Sequence, residues 1–212
     1  MLAAAAPHRG PVDDAGMVAG MAEGTQGRTA RVPLVQPDEV AAEHRERYDH
    51  VGAVRGGRMP DAFRAMAHSP LAMERIAGVG EYLRFDSGLD PKLRELVTLV
   101  VTQRTGCALE WTAHWGLAAK AGVPDDLLGR LGSPEAEKEP EPVGSALRFA
   151  RQVTDGDEVD DETIAVLRAQ LGDEGLIDLI TLVGYYLALS RIIETLHIPL
   201  PAGMVAQPYN GG

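Results

Sequence analysis

Cysteine is nearly absent from this sequence of 212 residues, with Cys107 the only one. A single thiol excludes an intrachain disulfide framework and any all-cysteine zinc site, and it points to a reducing cytoplasm. Blocks of basic residues are missing as well. Against 31 acidic residues there are 20 basic ones, a net charge of -11, so nucleic acid is excluded as an expected partner. No run reaches the roughly 18 uninterrupted apolar residues that a membrane span needs. The longest candidate, 176–196, is broken by Asp178, Arg191 and Glu194 and is expected to be a core helix, with no membrane partner. The first residues lack the basic region and apolar length of a secretory signal. Alternating strand patterns and hairpin turn pairs are also missing, which leaves an all-α chain of about eight helices.

Hydrophobic residues make up 45% of the sequence, enough for the core of one domain. Residues 1–34 are rich in Ala, Gly and Pro without a sustained period and are expected to form a disordered tail. The domain is expected over 35–205, with a short C-terminal tail at 206–212. Within it, Pro37 and Asp38 open a charged helix running to about Ala53, and Pro60 begins a short one ended by His68-Ser69-Pro70. Asp90-Pro91 is a strong start signal, a capping carboxylate followed by a proline preset for the first turn. The helix it opens ends at Thr105-Gly106, and the next runs from Cys107 to about Ala121, closed by Gly122. Helices at 143–153, 160–171 and 173–196 complete the set.

The chemistry-bearing residues gather around Gly106. Cys107, Glu110, Trp111 and His114 share one helical face at 3.6 residues per turn. Twelve residues before the cysteine, Glu95 stands among apolar neighbours, where burial is expected to raise its pKa and make it a usable acid or base. Cys107 at a helix N-terminus favours the thiolate, whereas Glu110 one turn on opposes it. Taken singly, each residue has a bland role: a buried apolar thiol, a hydrogen-bonded core imidazole, packing tryptophans, a carboxylate paired with Arg94 or Arg191. Glu110 and His114 also have the spacing of a metal pair, with Glu95 a third ligand. The second Glu-x-x-His segment of a di-metal bundle is lacking, so no metal is expected.

These residues resemble a known family. Leu93-Arg94-Glu95-Leu96-Val97, Thr105-Gly106-Cys107, Glu110-Trp111, His114 and Ala121-Gly122-Val123 look like the carboxymuconolactone decarboxylase family, which includes the alkylhydroperoxidase D-like proteins. Further likeness lies in 31–34, 59–70 and 183–186. The resemblance implies an alkylhydroperoxidase D-like helical bundle, a homo-oligomer (dimer, trimer or hexamer) and catalytic roles for Glu95, Cys107, Glu110 and His114. The redox branch carries a second cysteine where this chain has Glu110. With no resolving thiol, an intramolecular disulfide cycle is impossible.

The resemblance to the decarboxylase branch then implies cofactor-free proton transfer, a decarboxylation or isomerisation of a small cyclic or lactone acid. His114 and Glu95 would move the proton, with Glu110 orienting His114. Arg64 or Arg191 would hold a substrate carboxylate beside a Trp111 wall. The alternatives are a single-cysteine thiol peroxidase resolved by an external thiol, and a helical oligomer without catalysis.

Overall fold

The computed structural model describes residues 28–207. Their regular structure is helical, with eight α-helices and no strand among the described residues. They are α1 (Ala42–Ala53), α2 (Asp61–Met66), α3 (Pro70–Phe85), α4 (Pro91–Arg104), α5 (Ala108–Lys120), α6 (Asp125–Gly129), α7 (Val143–Asp155) and α8 (Asp161–Leu196). Short 3-10 turns lie at Pro37–Glu39 and Ala136–Lys138.

The central element is α4. Asp90 Oδ1 accepts from the backbone N–H groups of Lys92 and Leu93 at 2.9 and 3.1 Å, and Pro91 follows as the first helical residue. From Glu95 to Gln103 every residue is buried, because α5, α7 and α8 all pack around this helix. Burying Leu96, Val97, Leu99 and Val101 contributes about 1.5–3 kcal/mol for each side chain. The chain leaves α4 through Gly106 at φ +73°, a left-handed turn in which a side chain costs about 1–2 kcal/mol. The Cys107 N–H then donates to Thr102 O at 2.9 Å. That turn folds α5 back against α4 and so decides which of their side chains meet.

α1, α2 and α3 enclose a second apolar cluster that includes Tyr48, Val51, Met59, Phe63 and Met73. One element departs from the sequence reading. The charged stretch from Pro37 is not one helix: Val40 and Ala41 are extended between the 3-10 turn and α1. The Gln36 N–H donates to Glu39 at 2.6 Å, closing the turn, and Val40 packs onto the second cluster. The helices expected at 160–171 and 173–196 are present, joined through a kink at Gly172, φ +72°.

The expected tail 1–34 falls outside the described residues up to position 27. Residues 28–34, however, are laid along the bundle. The Arg31 N–H donates to Leu196 O at 2.8 Å, Arg28 pairs with Glu194 at 2.8 Å, and Ala30, Val32 and Leu34 pack against the main core. The other end is also held: Trp111 Nε1 donates to Gln207 O, and the Gln207 N–H to Thr112 Oγ1, both at 3.3 Å. By length and composition α8 would cross a membrane. Its Leu179, Leu182, Val183, Leu189 and Ile193 instead form the centre of the bundle.

Candidate active site

Three of the four residues singled out in the sequence meet at one imidazole. Glu95 on α4 and His114 on α5 face each other across the helix pair, and His114 Nδ1 lies 2.6 Å from Glu95 Oε2. On the other ring nitrogen, Nε2 is 3.4 Å from Glu110 Oε2, one turn back on α5, and 3.0 Å from the Tyr186 hydroxyl on α8. Glu95 Oε1 is 3.4 Å from the guanidinium of Arg94. Both Glu95 and His114 are buried, at 3% and 5% exposure.

Two carboxylates around one buried imidazole decide its charge. Burial alone lowers the His114 pKa, but hydrogen bonds and charge from Glu110 and Glu95 outweigh it and carry the value up to about 9. The ring is then an imidazolium at neutral pH, donating from both nitrogens. Glu95 corrects the sequence expectation. Burial does push its pKa up, yet the hydrogen bond and charge of His114, with Arg94 behind them, bring it below the ordinary value. It is an ionised anchor for the ring. Glu95 and Glu110 approach opposite nitrogens, so they do not converge with His114 on one ion. Among the described residues no group of three or more His, Cys, Asp or Glu side chains is arranged to hold a metal.

The imidazole opens on a cavity of about 330 Å³. His114, Glu110, Tyr185 and Tyr186 line it together with Asp61, Arg55, Arg58 and Arg84. None of these three arginines has an ion-pair partner among the described residues. Arg55 is held instead by the carbonyls of Val51 and Ala77, at 3.1 and 2.9 Å, and lies 4.6 Å over the Phe63 ring. A chain of net charge -11 thus encloses a cavity with a surplus of cations. Such a cavity attracts anions.

Cys107 is elsewhere. It caps the N-terminus of α5 with its side chain fully buried, and it does not line the cavity. Burial, then the charge of Glu110, pushes its thiol well above the ordinary range, so the pull that the sequence left unsigned is settled toward the neutral thiol.

The three residues expected to bind substrate lie outside the cavity lining. Arg64 pairs with Asp61 at 3.0 Å and donates to the carbonyls of Val35 and Leu34, tying the N-terminal segment to α2. Arg191 sits on the exposed face of α8. Trp111 is buried, packed 5.1 Å from Trp115 and bonded to Gln207. Sequence reasoning expected Arg64 or Arg191 to hold a substrate carboxylate, whereas the arginines that line the cavity are Arg55, Arg58 and Arg84. Arg55 and Arg84 carry no local signal, since α1 and α3 reach the cavity only through tertiary packing. Tyr186 lay within a segment of family likeness, without a role.

The all-helical bundle has the fold of the alkylhydroperoxidase D-like proteins. It is similar to the alkylhydroperoxidase AhpD core protein of Ralstonia eutropha JMP134, an uncharacterized peroxidase-related protein, with TM-score 0.62 and 19% identity over 85% of this chain and 98% of that one. A peroxidase-related protein of Silicibacter sp. TM1040 gives TM-score 0.69 and 18% identity, covering 86% and 96%. The debrominase Bmp8 in complex with 2,3,4-tribromopyrrole gives 0.67 and 16%, covering 83% and 94%. No curated protein matches the chain. Residues 70–131, from α3 through the end of α6, match the model of the carboxymuconolactone decarboxylase family. Family likeness is thus carried by residues 70–131, and the likeness of fold extends over most of the chain.

Proposed function

We propose that the protein is a cofactor-free enzyme that transfers protons on a small cyclic or lactone acid, by decarboxylation or isomerisation. One observation carries the reading: an imidazolium held between two carboxylates opens on an arginine-walled cavity, while the only thiol is buried away from it. Arg55 and Arg84 supply the charge that holds a substrate carboxylate. In a decarboxylation the bond to the leaving carboxylate breaks and its electron pair passes into the conjugated carbonyl, giving an enolate and carbon dioxide. The His114 imidazolium then supplies the proton to carbon, its Nε2–H turning from the neighbouring Tyr186 oxygen to the enolate, and solvent restores it. Glu95 holds the ring in place and lowers the cost of its charge. A single-ring substrate suits the cavity volume, and the debrominase of similar fold binds a substituted pyrrole.

The peroxidase-related relatives of similar fold support a second reading, a thiol peroxidase using Cys107 and an external thiol. Its thiol would have to become exposed and ionised, against the burial just described. We place the protein in the cytoplasm and as a homo-oligomer. The exposed Leu71 and Phe85 on α3 and Ile177 and Ile180 on α8 offer an apolar face to another copy.

Product analysis with a panel of lactone acids and hydroperoxides tests the reading. Turnover of a lactone acid that survives Cys107→Ser and is lost in His114→Ala and Glu95→Gln supports proton transfer. Peroxide turnover that needs Cys107 and an added thiol would overturn it, and unchanged activity in all three variants would make the cluster structural.

A further inference from the structure

Tyr186 has one hydrogen-bond partner among the described residues, His114 Nε2 at 3.0 Å, and it also lines the cavity. The other ring nitrogen of His114 is committed to Glu95. With carboxylates at both nitrogens the ring is an imidazolium, so its Nε2–H donates to the phenol oxygen. A phenol that accepts from a cation turns its own O–H elsewhere. No acceptor among the described residues takes that hydrogen, which leaves it directed at the cavity.

The accepted bond polarises the Tyr186 O–H and strengthens it as a donor. Burial, with the neighbouring Tyr185 and the negative charge of Glu110 and Glu95, pushes its pKa up, so it stays a phenol. The ring is fixed on two sides: edge-on to His114 at 4.9 Å and 82°, and edge-on to Tyr185 at 5.0 Å and 83°. Tyr185 is itself seated where α3 carries Gly80, since a Cβ there would collide with its hydroxyl. A donor fixed in this way stabilises charge that develops on a substrate oxygen.

We infer that Tyr186 is an oxyanion donor of this site, hydrogen-bonding the enolate oxygen of the reacting ring, and that the cavity therefore binds planar oxyanions, enolates and their stable phenolate analogues. Arg55 and Arg84 add long-range attraction to such an anion, and the charge of Glu110 is offset by the imidazolium it faces. The inference rests on reading the His114 cavity as the reaction site.

Chlorinated and nitrated phenols of graded acidity, each bound as its phenolate and followed by calorimetry, supply the test. Wild-type affinity is expected to rise as the phenolate oxygen becomes more basic, because the donated bond strengthens with acceptor basicity. Tyr186→Phe should weaken binding roughly ten- to hundredfold, the size of one hydrogen bond to a charged group, and flatten that dependence. Arg84→Gln should weaken every phenolate by a similar factor and leave the dependence intact, and Arg191→Gln should change nothing. Equal affinity and slope in Tyr186→Phe overturns the inference, as does a slope lost in Arg84→Gln alone. Tyr186→Phe removes a single oxygen; should it fail to fold, a flat series in the wild-type protein is itself decisive against the donor. Phenolate binding requires no turnover. A protein that shows the slope yet converts no lactone acid retains the donor and loses the decarboxylase reading, and the reverse result separates them the other way.

Discussion

Replacing Glu95 by Gln keeps the shape of the buried pair and removes its charge, and the consequence for stability depends on pH in a direction the structure sets. His114 is held at about 9 in the folded protein against an ordinary 6.5. At about 1.4 kcal/mol per pH unit, that difference corresponds to about 3 kcal/mol of stability. Because the folded value is the higher one, the contribution is complete below pH 6.5 and is lost as pH rises through about 9. Glu95 expresses the same bond from the acidic side. Its lowered pKa means stability present above its ordinary value and lost as pH falls through the folded one; the two effects are one interaction and do not add. Glu95 and Glu110 share in raising His114, and the Glu95 contact is the shorter, 2.6 against 3.4 Å. Glu95→Gln is therefore expected to cost about 2 kcal/mol near pH 6.5, a gap that closes, or reverses, as pH passes about 9 and the wild-type ring becomes neutral beside a buried carboxylate. Urea unfolding of both proteins across this range measures the gap, and the His114 ring resonances should titrate lower in the variant. A gap that does not change with pH, or an unmoved His114 titration, would refute the reasoning.

Other expectations follow from the same geometry. In the native protein Cys107 should resist iodoacetamide and react only after unfolding, because its thiol is neutral and fully buried; fast native labelling at neutral pH would contradict this. Gly80→Ala must displace the Tyr185 hydroxyl, and an overpacking cost of about 1–3 kcal/mol in thermal unfolding is expected. Asp90→Ala deletes two hydrogen bonds at the start of α4 and should lower stability by about 1 kcal/mol, read from the denaturant midpoint at unchanged slope.

Much of this protein is written in local sequence. Asp90-Pro91, Gly106 and Gly122 set the ends of α4 and α5 through capping and left-handed backbone, which depend only on neighbours along the chain. The spacing of Glu95, Glu110 and His114 was likewise enough to propose that they meet, since a tight turn between two helices leaves few other pairings. The docking of residues 28–34 was hidden by their composition, because the partners that hold them, Leu196 and Glu194, are over 160 residues away.

The sequence by itself determined the helical class, the family resemblance and the acidic–imidazole cluster. Tertiary structure alone decided the protonation of that cluster, since a pKa depends on burial and on charges in space, and these turned Glu95 into an anchor and His114 into a cation. It also decided the walls. Arg55, Arg84 and Tyr186 come from α1, α3 and α8 or their ends, and only packing brings them to one cavity while leaving Arg64, Arg191 and Cys107 outside it.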